Sequence, residues 1–173
     1  MTNSKQISNI KYQISKDKKQ NIFIKKSGNY LIELIGEGAQ VLVNGRFLAE
    51  KNNKLDIEII IHHQAPNTKA AVILKAVGKD KSQIKLAGKI IVNKNCHGTN
   101  SFLTERVLLL SDEAKAEAIP DLEIESDDVK CSHAVSVSNL SEEQMFYLMS
   151  RGLSRKKAEE MIVDGFLDTI DPC

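Results

Sequence analysis

The sequence predicts an all-β fold followed by a helical hairpin, on three observations. Short runs rich in Ile, Val and Leu recur from Ile22 to Val137, punctuated by Gly, Asn and Asp. No helix-length periodicity separates these runs, which argues against a doubly wound βαβ fold. Aromatic residues make up only 5% and Trp is absent, so stacked aliphatic side chains suit this core better than large aromatic anchors. Periodicity leaves both an antiparallel sandwich and a β-solenoid open. The small residues and aliphatic rows lean toward the solenoid, although no strict repeat is visible.

Residues 1–20 read as a polar lead-in with one weak strand at Ile10–Ile14, and residues 21–138 as the β core. Ile22–Lys26, Tyr30–Ile35 and Gln40–Val43 are strand candidates, separated by Ser27-Gly28-Asn29 and Gly36-Glu37-Gly38. Asn44-Gly45 suggests a tight turn closing the third run. Beyond a polar loop at Glu50–Asn53, Leu55–Ile59 alternates with period two, as a strand with one buried face does. His62 and His63 follow as loop or edge histidines. Lys69–Val77 ends at Gly78, and Ile84–Leu86, Lys89–Val92, Arg106–Leu110, Leu122–Ile124 and Val135–Val137 continue the series.

Residues 141–168 form the helical segment. Ser141-Glu-Glu-Gln144 matches a capping box, with Leu140 and Met145 at staple positions. Arg151-Gly152 supplies a stop signal. Ser154 caps a second helix that carries Ala158, Met161, Ile162, Gly165 and Phe166 on one stripe. Such a hairpin cannot fold alone, so its apolar faces need the β core or a partner. Little order is expected at Asp171-Pro172-Cys173.

A formal net charge of +1 over 173 residues makes no electrostatic case for nucleic acid or a membrane surface. No apolar run is long enough to span a bilayer, and the N-terminus lacks a signal-peptide core. Three scattered cysteines suit a reducing, cytoplasmic setting. No phosphate loop, HExxH motif or CxxC pair is present. Saccharide chemistry on a solenoid face would need paired carboxylates; Asp56 and Glu58 share a strand face, but nothing places a partner opposite them.

Asp127–His133, followed by Phe146-Tyr147-Leu148-Met149-Ser150-Arg151-Gly152, resembles the SufB/SufD family of iron–sulfur cluster assembly proteins, the SufD branch most closely. Leu108–Ala114, Ile119–Ile124 and Leu86–Val92 look like the same family's phrases, and His62-His63 with Ala65–Thr68 matches a weaker one. The likeness runs from about Asp56 to Phe166. It implies a right-handed parallel β-helix and a scaffold role without catalysis. It further implies docking of the SufC ABC-type ATPase on the C-terminal helices, and pairing of two subunits through their β-helices. A nascent cluster would form transiently near that interface, with none tightly bound. Typical relatives carry an additional N-terminal region, so a compact member acting as a homodimer, a degenerate paralogue and a fragment fit equally.

The resemblance points to His133 as a candidate cluster or iron ligand. Cys131, two residues earlier, shares its face on an extended strand. Thiolate and imidazole both ligate iron, although a buried cysteine is often only a small hydrophobe. Two departures from the family pattern stand out. Ala134 replaces a glycine after the histidine, and Glu105 occupies the position of the SufB-type cysteine. Glu105 reads as an acidic surface residue or an oxygen ligand. Cys96, beside His97, is a further candidate ligand. Phe146, Tyr147, Met149, Arg151, Met161 and Phe166 are the candidate ATPase contacts.

Overall fold

The computed structural model describes residues 8–168; the expectation for Asp171–Cys173 falls outside them. Ten strands precede two helices: β1 (Ser8–Ile14), β2 (Lys19–Ile24), β3 (Gly28–Leu34), β4 (Gln40–Ala49), β5 (Lys54–His63), β6 (Lys69–Gly78), β7 (Gln83–Val92), β8 (Asn100–Leu109), β9 (Lys115–Ile124), β10 (Lys130–Asn139), α1 (Glu142–Ser150) and α2 (Arg155–Asp168). Odd strands form one sheet, β1-β3-β5-β7-β9, and even strands the other, β10-β8-β6-β4-β2. Every pairing is parallel. The fold is therefore a two-sheet parallel β-solenoid with a C-terminal helical hairpin, and the sandwich alternative falls.

The chain crosses from sheet to sheet at every strand, so one coil consists of two strands and two corners. Coils beyond the second strand pair are regular: Lys54 pairs with Gln83, and Lys69 with Asn100. The first are shorter, with Ser8 beside Gly28 and Lys19 beside Gln40. Alternation sends Ile57, Ile59 and Ile61, then Ile84, Leu86, Ile90 and Val92, into the space between the sheets. The facing rows are Val41 and Val43, Val72 and Leu74, and Leu103 and Val107. Stacking of like aliphatics replaces aromatic anchors, as the composition implied.

The strands are longer than the sequence runs suggest. Asn44-Gly45 is no turn; β4 continues to Ala49. Gly45 is small because a Cβ there would come within 2.6 Å of the Phe47 ring and 2.8 Å of Leu74, so it makes room inside the core. Ile84–Leu86 and Lys89–Val92 are one strand joined through Gly88. The solenoid also starts earlier than the lead-in reading places it, with β1 inside residues 1–20.

One corner is built by a column of left-handed residues: Asp17, Gly38, Asn67, Gly98 and Asp128, with φ between 53° and 71°. Backbone bonds tie successive coils there: Asp17 N–H to Glu37 O, Gly38 N–H to Pro66 O, Asn67 N–H to His97 O and Gly98 N–H to Asp128 O. Asp, Asn and Gly tolerate this conformation best. This column is the repeat that hydrophobic patterning does not reveal.

The two ends differ. In the first coil Ile14, Ile22 and Ile24 are buried. In the last, Leu122, Ile124, Val135 and Val137 occupy inward positions beside Ile90, Val92, Glu105 and Val107, yet each remains more than 40% exposed. The solenoid is open at β9 and β10.

Helix caps form as expected. The Ser141 hydroxyl accepts from Gln144 N–H, and Gly152, at φ 92°, follows the Arg151 C-cap. The Ser154 hydroxyl accepts from Lys157 N–H. The hairpin lies along the outer face of the even-strand sheet, covering Val77 and Leu108. No helix among the described residues is long and apolar enough to cross a membrane.

Candidate functional site at the open end

Parity places the site. In β8, Ser101, Leu103, Glu105 and Val107 point inward; in β10 their neighbours are Cys131, His133, Val135 and Val137. Cys131 and His133 therefore share the inward face, as their spacing predicts. Glu105 does too, which corrects the surface reading: it is fully buried. Its carboxylate occupies space that Gly88 leaves on the opposite sheet, where a Cβ would come within 2.9 Å of Glu105 Oε1.

Glu105 Oε2 lies 3.2 Å from His133 Nε2. The second carboxylate oxygen and His133 Nδ1 are buried with no partner. Burial pushes Glu105 up to about 7 and His133 below its ordinary value. Although the contact has the spacing of an ion pair, both shifts oppose charge separation. The physically favoured form near neutrality is a carboxylic acid beside a neutral imidazole. One proton is shared across the contact, and one acceptor and one ring nitrogen remain for a ligand.

Burial also raises the Cys131 thiol, so it is protonated at neutral pH. Cys131 neighbours Ser101, whose hydroxyl lies 2.9 Å from His63 Nε2. His63 is completely buried, which corrects the loop reading; its Nδ1 lies 2.7 Å from Thr68 Oγ1. Burial pulls His63 down to about 4, with neighbouring His62 contributing. Cys96 belongs to this inner cluster. It is buried, its thiol donates to the His63 carbonyl oxygen, and burial raises it. His63, with Thr68 and Ser101, is the polar feature that sequence reasoning missed. Its signal was present: His63 continues the inward parity of Ile57, Ile59 and Ile61.

Of the four candidate ligands, the structure joins His133 and Glu105, sets Cys131 on the same face, and holds Cys96 beside His63. Among the described residues, no three His, Cys, Asp or Glu side chains converge tightly enough to hold a metal. Release of one proton from the pair, leaving a carboxylate that accepts from His133 Nε2–H, would free His133 Nδ1 and Glu105 Oε1 as a partial ligand set for a divalent iron ion; a complete set needs donors from across the open end. Ala134 lies in β10 with no left-handed backbone, so the missing glycine restricts nothing there.

The two rims of this end differ. The β9 edge carries Pro120 and exposed Glu117, Asp121 and Glu123, features that discourage strand addition. In β10 Lys130 is followed by Cys131, Ser132 and His133 and then by a neutral run of Ala, Val, Ser and Asn. On the hairpin, Phe146 is 75% exposed, and Tyr147, Met149 and Met161 are also exposed. Arg151 stacks over the Tyr147 ring at 5.2 Å. Phe166 is half-buried, and its carbonyl accepts from Lys75 Nζ. An open cleft of about 880 Å³ separates Leu108, Ser138 and Asn139 from Tyr147, Leu148 and Phe166.

Fold and site together define a β-solenoid protein with a terminal helical hairpin and a buried carboxylate–imidazole pair at its open end. The chain belongs to the SufBD family: residues 25–166 match the family described as SUF system FeS cluster assembly, SufBD core domain. It is 36% identical over 135 residues to an iron–sulfur cluster assembly SufBD family protein of Staphylococcus saprophyticus, and 35% identical to counterparts in Staphylococcus epidermidis and Staphylococcus haemolyticus. Each alignment covers 78% of this chain but only 29% of the relative. The likeness does not single out the SufD branch.

Proposed function

We propose that this chain is a non-catalytic, cytoplasmic scaffold subunit of SufD type. It pairs through the open end of its β-solenoid with a second SufB/SufD-type subunit and recruits a SufC-type ABC ATPase through its C-terminal hairpin. The transient cluster or its iron is cargo held at the paired ends. His133 and Glu105 contribute from this subunit, with Cys131 beside them, and the partner supplies the remaining donors.

The observation that carries the reading is the His133–Glu105 pair with two unpartnered buried atoms at an uncovered end. A donor set incomplete in one chain matches cargo assembled between two. Exposed Phe146, Tyr147, Met149 and Met161 with Arg151 support the ATPase contact; Phe166 supports it through the hairpin's seating. A second reading, a subunit that binds the ATPase but no cluster, is favoured by the lack of three convergent donors among the described residues.

Anaerobic reconstitution with iron and sulfide, read by visible absorbance and metal content, separates the two. The first expects bound iron that His133→Ala and Glu105→Ala each reduce. Iron absent from wild type and variants alike sinks it and leaves the second. Native mass spectrometry with the ATPase tests docking independently of metal, with Phe146→Glu and Met161→Glu expected to abolish the complex in folded protein.

A further inference from the structure

The contacts between α2 and the solenoid wall are unusually polar. Lys79 Nζ meets Glu159 Oε1 at 2.6 Å, and Arg46 Nη1 meets Asp168 Oδ1 at 2.6 Å. Lys75 Nζ donates to the Phe166 carbonyl at 3.1 Å, with the Phe166 ring centroid 5.8 Å away. All three cations belong to the wall, in β4, β6 and the turn after β6. All three acceptors belong to α2, two of them in its last turn, where the helix dipole favours positive charge.

The apolar part of the contact is small. Val77, Leu108, Met145 and Ala158 are buried but lie outside the main core cluster. Lys75 is only 2% exposed, so docking removes an ammonium from water, a cost that offsets much of this apolar gain. On the β10 side the helices stand off the sheet across the open cleft. The hairpin is thus attached along one line of charges, with a gap beside it. The solenoid, by contrast, is held by continuous ladders and an aliphatic interior that owe nothing to α2.

We propose that the α1–α2 hairpin is an electrostatically latched arm, held by Lys79–Glu159, Arg46–Asp168 and Lys75–Phe166, that swings off the wall as a unit while the solenoid stays folded. Opening rehydrates Lys75 and uncovers Val77 and Leu108. Salt weakens the exposed Arg46–Asp168 pair most and the part-buried Lys79–Glu159 pair less, since the Debye length falls to about 3 Å at 1 M. The inference needs neither the ATPase nor the cluster.

Amide hydrogen exchange of the isolated chain at low and at 1 M sodium chloride tests it. The expected result is that amides of residues 155–168 exchange about tenfold faster in high salt, whereas those of β4 to β8 keep their protection. Glu159→Lys reproduces the fast exchange at low salt. The exchanged pair, Lys79→Glu with Glu159→Lys, restores slow exchange. Protection in α2 that ignores salt and the single variant, or that is lost only together with the strands, overturns the latch.

Discussion

Glu105 Oε2 and His133 Nε2 face each other at 3.2 Å, from neighbouring strands at the open end of the solenoid. The contact binds one proton more tightly than the unfolded chain does, since the carboxyl is raised from 4.5 to about 7. Between these values the native state carries the extra proton, so this group's contribution to stability falls as pH rises and is constant above about 7. Roughly 3 kcal/mol is at stake. Glu105→Gln removes that slope: urea titrations of metal-free protein should find the variant more stable than wild type at pH 8, with the gap closing toward pH 4.5.

His63 works in the opposite direction. Its imidazole is buried and held down at about 4, so the unfolded state takes up a proton first as pH falls below 6.5. Its contribution is complete above 6.5 and is lost on the way down to about 4. In wild type the two slopes oppose each other over the shared range. The Glu105→Gln protein should therefore show a steeper acid loss of stability from pH 6.5 to 4.5 than wild type. Equal slopes in the two proteins would refute this pairing of effects.

Parity carried more of this site than local motif did. Cys131 and His133 share a face because they are two apart, and the same count puts Glu105 with Leu103 and Val107, and His63 with Ile61. A short window points those two polar residues to surface and loop, because charge and a polar neighbour outweigh alternation there. Gly45 misleads similarly: beside Asn44 it suggests a turn, whereas it leaves space for Phe47, as Gly88 does for Leu103 and Glu105. The helices were legible to the residue because capping is local chemistry. The solenoid was not, because what repeats is backbone handedness at Asp17, Gly38, Asn67, Gly98 and Asp128, carried by three residue types. The family resemblance supplied that fold where periodicity could only lean toward it.

The corner column makes a separate prediction. Gly98 has φ 68°, and a Cβ there would fall 2.3 Å from Asn67 Oδ1. Gly98→Ala combines backbone strain with a clash in the coil below, and should cost roughly 1–3 kcal/mol in chemical denaturation. Gly152→Ala, at φ 92° but with nothing within 4 Å, isolates the strain alone and should cost less.

Pairing of the open ends predicts a mass change. Val137, on the neutral β10 rim, is 46% exposed in the single chain. Val137→Lys places a charge where two apolar ends would meet, and should weaken self-association or association with a SufB/SufD-type partner at least tenfold (about 1.4 kcal/mol). Light scattering or native mass spectrometry reads the change. Glu117→Lys, on the Pro-interrupted β9 rim, should have a smaller effect. A reversed order would move the contact to the other sheet.

Unequal ends also limit growth. A rod assembled from stacked coils has every reason to lengthen, since each exposed terminus is a template for the next. Here the shorter opening coils bury Ile14, Ile22 and Ile24, whereas the β9–β10 end leaves Leu122, Ile124, Val135 and Val137 exposed, so the two described ends are unequally apolar. Copies that met through β9 and β10 would bury that apolar face between them. Ends that differ in this way favour a closed pair over open head-to-tail stacking of strand edges.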